Sequence, residues 1–254
     1  MPEAVERMLP SKTVARLTPD PFVAGALTLS LDSMPQSHIS PRDPRHLFYD
    51  YVRRMGTAID LAAHAAEPIG VLHLGAGALT LARYVAETRP GSRQLAVENE
   101  SGLVPFVLEE APLPRSAEIG LIENDALVAL RTLAAPESVW RARADIVVCD
   151  VYAGLETPAH LVTPAFFEAV RSVLAPNGTV LVNVADDADL ARSETQIAAL
   201  SEVFPVVAMI GPSAVLDGRE AGNIVLLAGS DPAIIDRMPA LAAAGPHPVA
   251  WQAL

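Results

Sequence analysis

The chain has 254 residues, room for one large domain or a domain with a small appendage, and 51% of them are apolar, enough to fill a sizeable core. A formal net charge of −12, with no stripe of Lys or Arg, argues against a nucleic-acid partner, and a single cysteine, Cys149, excludes an internal disulfide framework and a cysteine zinc cluster. No uncharged stretch reaches the roughly 18 apolar residues of a membrane span, and the first residues, MPEAVERMLP, lack a basic-then-apolar signal pattern, so a cytoplasmic protein without membrane contact is expected.

In chain order, residues 1–20 read as a loose leader. PFVAGALTLSLDSMPQSHIS (21–40) alternates weakly and suggests one or two short strands. Phe48, Val52, Met55, Ile59 and Ala62 then recur at helical spacing and predict a helix between Pro44 and about Ala66. Strand and helix signals alternate from there. IGVLHL (69–74) is a buried strand, with a helix near 79–88; RQLAVE (93–98) a second, with a helix near 101–110. AEIGLIE (117–123) precedes a helix at 125–134, and ADIVVCD (144–150) precedes PAFFEAVRSVL (164–174). Asn177 and Gly178 turn the chain into GTVLVNVA, a fifth strand. After a helix near 187–203 come VFPVVAMIG and NIVLLAG. No helix is expected between Gly211 and Asn223, so these two should form an antiparallel hairpin on the sheet edge. The Ala- and Pro-rich tail (239–254) says little.

Strands separated by helices predict an α/β fold, a doubly wound and mostly parallel sheet of seven strands ending in that hairpin. The expected division is a leader and small β segment (1–43) followed by the main domain (44–254). Ligands of such sheets bind beyond the carboxyl ends of the strands. There the sequence places Gly75-Ala76-Gly77, Glu98, Asn124-Asp125 and Asp150. The glycines let a backbone turn approach a ligand closely, although a plain strand-to-helix turn would look the same. Glu98 stands 21 residues beyond Gly77, about where an acid meets a ribose diol. Asp125 can accept from an adenine amine, cap the following helix, or do both. His73 and Cys149 read as packed core residues, His160 as a surface histidine, and Trp140 and Trp251 as packing. The six histidines show no ligand spacing, so no metal is expected.

Several stretches carry a family resemblance. VLHLGAG, Val97-Glu98 and Asp125 resemble the S-adenosylmethionine methyltransferase fold, whose terminal hairpin also fits. Within it the chain is similar to the spermidine synthases, the aminopropyltransferases of polyamine biosynthesis. LSLDSMPQS (29–37) resembles their L-x-L-D-G-x-x-Q segment, HLFYDYVRRM (46–55) stands where they carry Tyr-His-Glu, and Asp150 with LVTPAFFEAVRSVLAPNGTV (161–180) matches their catalytic aspartate and the helix and strand after it. The resemblance implies that Gln36 contacts a nucleoside, Glu98 its ribose and Asp125 its adenine. It implies that Asp150 binds and deprotonates the attacking amine. The nucleoside would be S-adenosylmethionine, its decarboxylated form or methylthioadenosine, and the assembly a homodimer or homotetramer.

The amine side departs from the pattern. The family's loop carries a second aspartate where this chain has Ala153, and its Tyr-His-Glu becomes Tyr49-Asp50-Tyr51. Tyr49, Tyr152 and Glu156 are the remaining candidates for holding a small-molecule amine or other acceptor, with Glu156 or Asp50 able to supply the missing charge. Three readings follow: a spermidine-synthase-like transferase with an altered acceptor, a small-molecule methyltransferase, and a catalytically silent binding homologue.

Overall fold

The computed structural model describes residues 3–114, 117–154 and 156–254. Among them, two sheets organise the chain. The first is an antiparallel meander of four strands, β1 (Val5–Met8), β2 (Val14–Pro19), β3 (Leu27–Leu31) and β4 (Met34–Ile39), in the order β1-β2-β3-β4. The expected leader is therefore a pair of strands. One face of β2 supplies Ala15 and Leu17, which with Leu29 and Ile39 pack on Leu103, Phe106 and Val107 of a helix of the main unit.

The second sheet begins after α1 (Asp50–Leu61). It contains β5 (Gly70–Leu74), β6 (Arg93–Glu98), β7 (Ile119–Glu123), β8 (Ala144–Cys149), β9 (Leu174–Asp186), β10 (Val206–Gly211), β11 (Gly222–Gly229) and β12 (Ala250–Ala253). The connecting helices are α2 (Thr80–Thr88), α3 (Leu103–Glu110), α4 (Ala126–Leu133), α5 (Pro164–Val173), α6 (Ala191–Ser201), α7 (Ser213–Leu216) and α8 (Ala233–Ala244). The strand order is β12-β10-β11-β9-β8-β5-β6-β7. Strands β9-β8-β5-β6-β7 run parallel, while β9/β11, β11/β10 and β10/β12 are antiparallel.

This is the expected α/β architecture with three differences. The sheet has eight strands, because the tail forms α8 and β12. The β10–β11 hairpin is antiparallel as expected, but β12 covers its outer strand, so it is not the edge. A single helical turn, α7, fits between Gly211 and Asn223. Apolar strands buried on both faces are what a parallel sheet requires. One face carries α4, α5 and α6 through Leu130, Phe166, Phe167 and Leu200; the other carries α1, α2 and α8 through Met55, Ile59, Val85 and Met238.

Caps fix the helix ends that matter for the site. Asp125 caps α4 by accepting from Leu127 N and Val128 N, and Thr163 caps α5 by accepting from Phe166 N, with Pro164 at the first helical position. The far end of α1 is closed by a buried side chain. Arg89 donates to the carbonyls of Ile59, Asp60, Ala63, His64 and Glu67, absorbing the orphan C=O groups of the last turn.

Candidate functional site

Sequence order reverses between β5 and β8: β6 and β7 lie on one side of β5, β8 and β9 on the other. At the carboxyl ends of these strands opens a cavity of about 720 Å³, within the range that takes a small ligand. Gln36, Tyr49, Gly75, Ala76, Gly77, Glu98, Asn124, Asp125, Asp150 and Tyr152 all line it. Glu156 does not. Its side chain is exposed and reaches Arg192 at 3.4 Å.

The glycines are dictated by close approach. Gly75 has φ +86°, and a Cβ there would stand 2.0 Å from the carbonyl oxygen of Asp150. At Gly77, with φ +48°, a Cβ would stand 2.5 Å from Ser37 Oγ of β4. Ser37 Oγ also accepts from Ala78 N at 3.2 Å, so the N-terminal sheet is sewn onto the glycine turn and carries Gln36 with it. Leu79 closes the turn in the left-handed region, φ 61°, its N–H bonded to Ala76 O at 2.7 Å.

Glu98 anchors this turn. Its Oε2 accepts from Ala76 N at 3.0 Å and Gly77 N at 3.1 Å, and its Oε1 from Glu100 N at 2.9 Å. Two carboxylate oxygens offer about four acceptor directions, so one remains beside these three bonds. Asp125 is the α4 cap and also pairs through Oδ2 with His160 Nε2 at 2.7 Å. Burial acts to raise its carboxyl, but His160 and the backbone donors of Val128 and Leu127 outweigh that and hold it low. His160, in the loop near the site, is half exposed as a surface histidine should be, and it also has a partner at the cavity.

Asp150 follows β8 and faces the other half of the cavity. Its Oδ1 accepts from Asn183 Nδ2 at 2.9 Å and its Oδ2 from Tyr51 Oη at 3.2 Å. Asn183 is itself oriented, because its Oδ1 accepts from Asn223 Nδ2 at 3.0 Å. Burial pushes the Asp150 carboxyl above its ordinary range, and the Asn183 and Tyr51 bonds pull it only partly back. Burial and the charge of Asp150 likewise raise the Tyr51 hydroxyl, so it stays a donor. Tyr49 stacks on Tyr51 with ring centroids 6.1 Å apart. Tyr152 is held by β9, donating to Asn183 O at 3.0 Å and accepting from Ala185 N at 2.8 Å. A raised carboxylate held by two neutral donors can accept a proton from a bound cationic amine.

Elsewhere the described residues of this half of the cavity are short of negative charge. Ala153 lines the cavity and carries none, and Asp50 lines it with a mostly exposed side chain 3.8 Å from Arg53. The strand ends and glycines could be placed from the sequence, whereas Ser37, Asn183, Asn223 and the role of Tyr51 emerged from the fold. Asn183 left one usable sign: a lone amide inside the apolar run VLVNVA, which must find a partner when buried.

No family model matches the chain. A solved structure of a probable spermidine synthase from Corynebacterium glutamicum is 30% identical, superposes with a TM-score of 0.85, and the match covers 99% of this chain and 91% of that one. The polyamine aminopropyltransferase of Chromobacterium violaceum is 24% identical over 149 residues, 58% of this chain and 53% of that protein. The chain therefore matches about half the length of this curated relative. Human methyltransferase-like protein 13, solved with S-adenosylhomocysteine, shares the fold at 20% identity and a TM-score of 0.59, covering 78% of this chain and 93% of that one. Among the described residues no helix is long and apolar enough to cross a membrane.

Proposed function

Because the chain belongs to the spermidine synthase-like proteins, we propose that it is a transferase that binds an S-adenosylmethionine-type nucleoside and passes the group on its sulfonium to an amine held at Asp150. The observation that carries this reading is the position of Asp150: a carboxylate raised by burial and fixed in place by Asn183 and Tyr51, in one cavity with the Glu98-anchored glycine turn.

A bound sulfonium nucleoside supplies an electrophilic carbon next to a positively charged sulfur. The chain's residues do the rest. Gly75 and Gly77 let the turn run close to the ligand, Glu98 offers its free acceptor direction to the ribose, and Gln36 and Asp125 flank the base. An incoming amine is a cation near neutral pH and has no lone pair to attack with. Asp150 takes one proton from it. The freed pair forms the new C–N bond while the C–S bond breaks, its electrons remain on sulfur as a neutral thioether, and the positive charge passes to nitrogen. Positioning supplies most of the acceleration, and a well-placed base adds about 10²–10⁴-fold.

The acceptor is altered from a plain diamine in this reading. A diamine calls for carboxylates at both ends, and here Ala153 replaces the second loop acid, Glu156 turns to Arg192, and Asp50 sits beside Arg53. Loss of one charged contact of about 1.5–3 kcal/mol lowers transition-state binding roughly 10- to 100-fold. Steady-state transfer from decarboxylated S-adenosylmethionine to a panel of amines is the test. Methylthioadenosine should form, with putrescine a poor acceptor. A putrescine kcat/KM within the usual enzymatic range of about 10⁴–10⁸ M⁻¹s⁻¹ would overturn the altered acceptor, and no transfer to any amine would overturn the transferase.

We further propose that the chain assembles with copies of itself, since the meander, whose inner face already packs on α3, leaves Val5, Met8, Phe22 and Met34 exposed.

A further inference from the structure

Among the described residues three arginines are almost fully buried, and they are not alike. Arg83 donates from Nε, Nη1 and Nη2 to the carbonyls of Ala78, Pro112 and Ala111. Arg89 places both terminal nitrogens on the carbonyls at the end of α1. Neither lines the cavity. Arg54 does, at 1% exposure, one helical turn beyond the Tyr51 that holds Asp150. Its Nη2 donates to Pro246 O at 2.9 Å, while Nε and Nη1 are shut off from solvent and have no partner among the described residues. Asp50, one turn away on the same helix, favours its charge but is mostly exposed beside Arg53.

A guanidinium keeps its charge when buried, and buried charges are as a rule paired. Arg89 also leaves its Nε without a partner among the described residues, but both arginines outside the cavity have their terminal nitrogens filled by the protein, whereas the one on its wall leaves Nη1 unfilled. A guanidinium grips a carboxylate with two parallel bonds through Nη2 and either Nε or Nη1, so Arg54 can do so once Nη2 leaves Pro246 O. We propose that Arg54 is the counter-ion for a ligand carboxylate in the acceptor half of the cavity, in the simplest case an amine whose far end is a carboxylate, with its ammonium group at Asp150. This rests on the reading of Asp150 as the amine site. The guanidinium swings off the Pro246 carbonyl, which frees Nη2, toward the cavity that Arg54 lines, to receive the ligand. The same cation repels the second ammonium of a diamine. A carboxylate could also arrive on the nucleoside, as the amino-acid end of a form that has not been decarboxylated.

Calorimetric titration of the full chain separates these sources. One arm compares S-adenosylhomocysteine with methylthioadenosine, which lacks the amino-acid end. The other compares 4-aminobutyrate with putrescine, of nearly equal length, in saturating methylthioadenosine. In at least one arm the carboxylate ligand should bind about 10-fold or more tighter, and Arg54→Gln should erase that preference while Arg54→Lys keeps part of it. The arm that responds identifies the source. No preference in either arm overturns the inference, as does a preference that survives Arg54→Gln. Should Arg54→Gln fail to fold, the wild-type arms decide alone: equal or tighter binding of the carboxylate-free ligands overturns it. If no nucleoside binds at all, the proposed function falls, and the inference with it.

Discussion

Replacing Asn183 by Leu tests whether Asp150 is the working base and what tunes it. The structure gives its carboxylate two donors, Asn183 Nδ2 at 2.9 Å and Tyr51 Oη at 3.2 Å, both neutral. Burial raises this carboxyl, and the two bonds are what oppose the rise. A hydrogen bond to a charged group contributes about 1.5–3 kcal/mol, and one pKa unit corresponds to about 1.4 kcal/mol, so losing the shorter bond should raise the carboxyl by roughly one to two further units. The sign is fixed by the chemistry. The base works deprotonated, so activity falls as pH drops through its pKa, and a higher pKa moves that acid limb to higher pH. The assay is kcat/KM for the best amine acceptor between pH 5 and 9, with methylthioadenosine release as the signal. Asn183→Leu should shift the acid limb upward by about one to two pH units, Tyr51→Phe by less because its bond is longer, and Asn223→Ala by less again, since it only frees the Asn183 amide to turn. A folded Asn183→Leu protein whose acid limb stays where the wild type has it would refute this account of Asp150.

Two other predictions concern the nucleoside half and the core. Glu98→Ala removes the acceptor proposed for the ribose and the one for Ala76 N, Gly77 N and Glu100 N, so methylthioadenosine affinity should drop about 10-fold or more; equal affinities by calorimetry would dismiss the assignment. His73 is buried against Gln94 Oε1 at 2.9 Å, and burial lowers its pKa from 6.5 to about 4. Its unfolded form binds a proton first, so the stability it contributes is full above about pH 6.5 and is lost as pH falls toward 4; at pH 5 the loss is about 2 kcal/mol. Urea titrations at pH 7.5 and 5 should show wild type losing about 2 kcal/mol more than His73→Gln, and identical losses would place the proton elsewhere.

Most of the fold was legible because buried parallel strands are continuous apolar runs, as in GVLHL and DIVVC, and because β–α alternation leaves few topologies. Strands β1 and β2 escaped because VERM and VARLTP are short, partly exposed and charged, like a leader. The tail escaped because α8 contains Pro239 in an alanine-rich run, and β12 is a four-residue strand. Its omission left the sheet one strand short and put the hairpin on the edge.

The two halves of the site differ in legibility for a physical reason. Strand ends and tight turns are properties of the backbone, so once the parallel sheet is recognised, Gly75, Gly77, Glu98, Asp125 and Asp150 fall at one rim by topology alone. The acceptor half is set by register. Cys149 stands opposite Val182 across the parallel β8–β9 pair, which brings the next residue, Asn183, beside Asp150, and Ala185 stands opposite Asn223 across β9–β11, which brings that amide to Asn183. A shift of one residue in either pair would turn both amides to the opposite face. Tyr51 and Arg54 reach the same wall from α1 through a helical turn. Such contacts link positions far apart in the chain through side chains that a neighbouring fold member can exchange singly without disturbing the rim. On the proposed reading, a nucleoside rim beside a reworked acceptor wall is what divergence of substrate on one backbone should look like, with Ala153 and the Arg54 whose Nε and Nη1 find no partner among the described residues as its marks.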